Sequence, residues 1–116
     1  MSNHIFKSQS AKHSEVTVEM GYDRPLNYVY CTVHSDSDRL LYSNLDDPDA
    51  GIRMQDIQYF KKPLQRLKIV VPERIFQEVT IDQKEKVGNK TIVWTKDTAL
   101  PLSKEQYLMK LAGGNK

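Results

Sequence analysis

The chain has 116 residues, 39% of them hydrophobic, with five glycines, five prolines and one cysteine, Cys31. A chain of this length can bury about two-thirds of its unfolded surface and fold as one domain without disulfides. A single cysteine excludes a disulfide framework and a zinc site built from several cysteines. The sequence has no apolar leader and no apolar run of membrane-spanning length, which predicts a soluble, cytoplasmic protein.

The charges are unevenly distributed along the chain. Residues 1–50 carry four basic and eight acidic side chains, whereas residues 51–116 carry thirteen basic and seven acidic ones. The net charge of the whole chain is only +2. Such asymmetry can mark an interaction surface, but it also fits two halves that attract each other within one fold.

The first residues differ in pattern from those that follow. Residues 1–13 are mostly polar and are predicted to form a flexible tail ahead of a single α+β domain over residues 14–116. From residue 14 to residue 20, apolar and polar side chains alternate. A period of two with one polar side predicts a half-buried strand.

Two more strands are predicted before the helical segments begin. Residues 26–34 are rich in β-branched and aromatic side chains, which is typical of a central strand covered on both faces. Residues 39–43 predict a third, shorter strand. The segments 21–25 and 35–38 have turn composition, so the three strands are expected to form an antiparallel meander.

The period becomes helical after residue 51. Ile57, Phe60, Leu64 and Leu67 fall on one side of a helix, and Pro63 within that pattern predicts a kink or a break.

A second helix is predicted to begin at Pro72 and to stop before Gly88. Residues 90–95 predict a fourth strand. Ser103 and Gln106 form a capping-box pattern ahead of a short last helix. The order β-β-β-α-α-β-α predicts an α+β fold, with helices packed on one face of a mainly antiparallel sheet of about four strands.

The sequence offers no motif for catalysis, a cofactor or a metal. Placing Gly51 at position 6 of a calcium loop puts Pro48 and Ala50 at ligand positions, so the acidic segment fails the EF-hand pattern and is interpreted as a solvated turn. The three histidines lack metal-ligand spacing, and no glycine-rich phosphate-binding motif occurs. Cys31, in mid-strand, is expected to pack as a small apolar side chain.

Two surfaces remain as candidates for binding. Tyr22 and Arg24 in a predicted loop, together with Tyr42, could form a protein-binding patch, because tyrosine and arginine are favoured at interface hot spots. The second candidate is a basic region that could bind a phosphate backbone, comprising Lys61, Lys62, Arg66 and Lys68.

These features favour a small non-enzymatic module that binds another macromolecule. A protein partner is favoured over nucleic acid because the net charge is small and acidic residues cluster in the first half. Its expected role is in regulation, assembly or inhibition. A nucleic-acid-binding accessory protein is the alternative, and exposed sheet edges could also pair two copies as a homodimer.

Overall fold

The computed structural model describes residues 1–8, 15–37, 39–50 and 56–112. Within these ranges the chain forms an α+β fold with one five-stranded sheet and three α-helices. The strands are β1 Ser2–Ser8, β2 Val16–Asp23, β3 Tyr28–Ser35, β4 Leu40–Ser43 and β5 Lys90–Trp94, and the helices are α1 Lys61–Arg66, α2 Glu73–Glu85 and α3 Lys104–Leu111.

The sheet is mixed, with the strand order β4-β3-β2-β1-β5. Strands β2, β3 and β4 form the predicted antiparallel meander, and β1 pairs antiparallel with β2. Strand β5 pairs parallel to β1, with His4 opposite Ile92 and Phe6 opposite Trp94. The prediction of about four, mainly antiparallel strands is therefore corrected to five strands in a mixed sheet.

The additional strand, β1, lies where the sequence predicted the start of a flexible tail. Its side chains alternate, but Ser2, His4 and Phe6 are the buried ones. Two of these three are polar, so the apolar alternation that marks a strand is absent. Residues 9–13, the rest of the predicted tail, lie outside the described residues.

The first helical segment is divided ahead of Lys61 and not at Pro63, where the kink or break was predicted. A 3-10 turn over Ile57–Phe60 leads directly into α1. Pro63 is the third residue of α1, where a backbone N–H would have no partner within the helix, so proline removes no helical hydrogen bond there. The break therefore precedes the proline.

Helix α2 supplies the central contact between the helices and the sheet. Its Ile75, Phe76 and Val79 are almost fully buried, and the helix contacts β1, β2 and β3. Helix α3 packs against α2 and begins with the predicted capping box between Ser103 and Gln106. In the part of the chain that the structure describes, no helix is long and apolar enough to cross a bilayer.

Candidate functional site

A groove of about 360 Å³ lies between β4 and α1. One wall is formed by all four residues of β4, and we call the whole feature the β4–α1 groove. Leu40 is 47% exposed at its rim. The remaining lining residues are Asp46, Asp47, Pro48, Pro63, Arg66 and Leu67.

The wall formed by β4 is an edge of the sheet. Strand β4 pairs with β3 on one side, and no described strand pairs with it on the other. The unpaired side of an edge strand presents backbone donors and acceptors that can template another strand. An edge strand beside a helix is also the geometry in which proteins bind extended peptides.

Asp47 accepts several hydrogen bonds in the β4–α1 groove. Its Oδ2 accepts hydrogen bonds from the hydroxyls of Tyr42 and Tyr59, at 2.7 Å and 2.9 Å, and its Oδ1 accepts one from the Asp49 backbone N–H at 3.0 Å. The bond from Tyr42 is the main reason that the pKa of Asp47 is lowered. Burial and the bond to Asp47 raise the pKa of both phenols. At neutral pH the groove therefore holds an ionised carboxylate between two protonated tyrosines.

The other charges of the groove are available to a ligand. Arg66 is close enough to lower the pKa of Asp47 but forms no hydrogen bond or ion pair with any described residue. Asp46 is exposed and likewise has no partner within the described ranges. Among the described lining residues, two carboxylates and one guanidinium leave one excess negative charge, at Asp46.

The structure separates the predicted protein-binding residues. Tyr42 lines the β4–α1 groove. Tyr22 is only 1% exposed and donates its hydroxyl to Asn27 Oδ1 at 2.7 Å, because β2 continues through the segment predicted to be a turn. Arg24 is exposed in the β2–β3 turn and lies near Gly88. Tyr22 cannot contact a partner in this conformation.

The predicted basic region is also divided. Lys61 is paired with Glu73 at 2.6 Å and lies 5.0 Å from the centre of the Phe76 ring. Arg66 lines the β4–α1 groove, and Lys68 lines a different cleft. Lys62 is exposed. The cations of the predicted basic region therefore have different environments in the structure.

The thiol and the acidic side chains give no catalytic or metal-binding arrangement in the described part of the chain. Cys31 is fully buried, and burial raises the pKa of its thiol to about 12, so it is not a nucleophile at neutral pH. No three His, Cys, Asp or Glu side chains among the described residues come together as metal ligands.

A buried polar network joins β1, β5 and α2. No pattern in the sequence indicates it. Trp94 Nε1 donates to His4 Nδ1 at 2.9 Å. Because an indole nitrogen can only donate, His4 carries its proton on Nε2, which lies 2.6 Å from Asp82 Oδ2. Lys90 Nζ donates to Asp82 Oδ1 at 2.8 Å. The side chains of His4 and Asp82 are both 0% exposed.

The network is buried, so a substrate cannot reach it, and it contributes to the stability of the fold. Burial by itself raises the pKa of Asp82, but the hydrogen bonds from His4 and Lys90 outweigh it and hold that pKa below its ordinary value. Every buried side-chain nitrogen and oxygen of the described residues has a hydrogen-bond partner. We therefore interpret His4, Asp82 and Trp94 as a polar part of the core.

We expect the network to make stability depend on acid pH. The folded state favours ionised Asp82, so its contribution is complete above the unfolded pKa, about 4, and is lost as the pH falls below it. Urea unfolding between pH 7 and pH 2.5 gives the unfolding free energy of the wild type and of Asp82→Asn at each pH. The difference in unfolding free energy between the two proteins should shrink with falling pH; a constant difference would contradict the assignment.

Comparison with known proteins found no relative of this chain. The chain matches no protein-family model, no curated protein and no solved structure.

Proposed function

We propose that this protein is a protein-binding module that takes up an extended segment of its partner by strand addition at β4. The observation that carries the proposal is the position of the β4–α1 groove, between an edge strand and a helix. A partner strand would pair with the outer backbone of β4. Alternate side chains of that strand would then face the groove.

The lining of the groove indicates which side chains the partner segment carries. Leu40, Leu41 and Pro48 provide apolar surface for apolar side chains. Asp46 supplies the negative charge that no described residue balances. The partner is therefore an extended, mainly apolar segment with a lysine or arginine that reaches Asp46.

The same charges disfavour a nucleic acid in this groove. Asp46 and Asp47 would face a phosphate backbone, and like charges that close together cost binding energy. Arg66 is the single cation among the described residues of the lining. A protein segment fits this arrangement better than a polyanion does.

The test begins with a phage-displayed library of random linear dodecapeptides. Selected peptides should share apolar residues at alternate positions and at least one basic residue. Against one selected peptide, measured by fluorescence polarisation, Leu40→Asp and Asp46→Lys should each weaken binding by about tenfold or more, in line with hot-spot losses above about 1.4 kcal/mol.

Matched controls separate the groove from general surface effects. Leu26→Asp changes an exposed leucine in the β2–β3 turn, 62% exposed, and Glu85→Lys reverses an exposed charge at the end of α2. Both should bind the peptide as the wild type does. If the library yields no binder, or if the groove and control variants lose affinity equally, the proposal is wrong.

A further inference from the structure

A second, larger cleft opens at the end of the sheet where β1 and β5 both finish. Its volume is about 690 Å³, within the range of small-molecule sites. Three lysines line it, from three separate parts of the chain: Lys7 near the end of β1, Lys68 after α1 and Lys96 after β5. We call it the lysine cleft; its other lining residues are Phe6, Ser8, Glu15, Val70 and Pro72.

The three ammonium groups are not neutralised by ion pairs. Three other lysines of the described chain, Lys61, Lys90 and Lys110, are paired with carboxylates. Lys7, Lys68 and Lys96 have no such partner in the described ranges, and Glu15 is the one acidic residue in the lining. The described lining residues of the lysine cleft therefore carry an excess of two positive charges.

The backbone of Lys68 has the left-handed conformation that ends α1: its N–H donates to Gln65 O, and the Ile69 N–H donates to Leu64 O. Its φ is 62°, in the left-handed region, where glycine is normally preferred to a residue with a side chain. Lys86 has a φ of 52° at the end of α2 but does not line the cleft. The two lysines thus share a backbone conformation and differ in their relation to the cleft.

We propose that the lysine cleft binds a small phosphorylated organic molecule with two or more negative charges. Lysine ammonium groups bind phosphate oxygens as point charges. Val70, which is 81% exposed, and Pro72 offer an apolar surface to the organic part of the ligand. Both the site and the ligand differ from those of the β4–α1 groove.

The experiment uses ATP as the probe, titrated at low ionic strength and followed by NMR amide shifts and calorimetry. Lys68→Gly should weaken ATP binding by about five- to tenfold, as expected for loss of one charged contact, and should raise the urea midpoint because glycine relieves the left-handed backbone. Lys86→Gly should raise the midpoint similarly and leave ATP affinity unchanged. Lys96→Ala should weaken ATP as Lys68→Gly does.

Binding of other anions, and the effect of salt, test whether the lysine cleft prefers a phosphorylated ligand. Citrate should bind more weakly than ATP, and binding of ATP should weaken with added salt. Absence of binding at millimolar ATP, equal losses in Lys68→Gly and Lys86→Gly, or equal affinity for citrate and ATP would each overturn the proposal. Much tighter binding of a single-stranded RNA dodecamer would also overturn it and assign the lysine cleft to a nucleic-acid backbone.

Discussion

Replacing Asp82 by alanine should lower the free energy of unfolding by about 3–5 kcal/mol, the usual cost of removing one partner from a buried charged network. The remaining His4 would keep an Nε2–H with no acceptor in a fully buried position. Lys90, at 30% exposure, can turn towards water, so His4 accounts for most of the loss. Thermal unfolding should show a melting temperature lower by roughly 12–20 °C.

A control on the same helix and an apolar double variant make this result specific. Glu85→Ala, at an exposed position, should change the unfolding free energy by less than about 0.5 kcal/mol. His4→Phe combined with Asp82→Leu should recover part of the loss, because apolar replacement of a buried pair is often neutral, although Trp94 Nε1 would then lack its acceptor. If Asp82→Ala is as stable as the wild type, the network does not hold β1 in the sheet.

Gly21→Ala should destabilise the protein by about 3 kcal/mol, at the upper end of the cost of overpacking. A Cβ at Gly21 would overlap the backbone carbonyl of Ser2 in β1 and come within 2.9 Å of the Tyr30 hydroxyl. Tyr30 lies opposite Gly21 in the register and donates its hydroxyl to Ser2 O at 2.8 Å. Urea unfolding measures the loss, and amide spectra should show the largest changes at the start of β1.

Two variants separate backbone overlap from other effects at Gly21. Gly88→Ala should change stability by less than about 0.5 kcal/mol, because its Cβ would meet only the end of the Arg24 side chain, at 3.4 Å. Gly21→Ala with Tyr30→Phe should stay unstable, since the overlap with Ser2 persists. Full recovery in that double variant would show that the hydroxyl, and not the β1 backbone, limits the space.

The sequence predicted those parts of the fold whose signals are local. Alternation identified β2 within the meander, and the pair Ser103 and Gln106 identified the start of α3. Strand β1 was missed because its core-side positions include Ser2 and His4, whose partners lie far along the chain. Parallel pairing of β1 with β5 leaves no mark in either segment alone, so the mixed sheet could not be predicted.

The sequence predicted only part of the candidate site. Tyr42 and Arg66 were each named, but in separate hypotheses, and the structure places both in the β4–α1 groove. The acidic segment was interpreted as a solvated turn, yet Asp47 accepts two phenol hydroxyls. The one available signal, tyrosines flanking an acidic segment, does not indicate which carboxylate they reach.

The position of β1 between β2 and β5 has a consequence for folding kinetics. His4 pairs with Met20 on one side and with Ile92 on the other, so the second pairing closes most of the chain into a loop and is entropically costly. Strands β1 to β4 can therefore assemble first, and β5 adds late. Because Trp94 belongs to β5, the hydrogen bond from Trp94 to His4 forms only after that closure, so it acts mainly by slowing unfolding and contributes little to the rate of refolding.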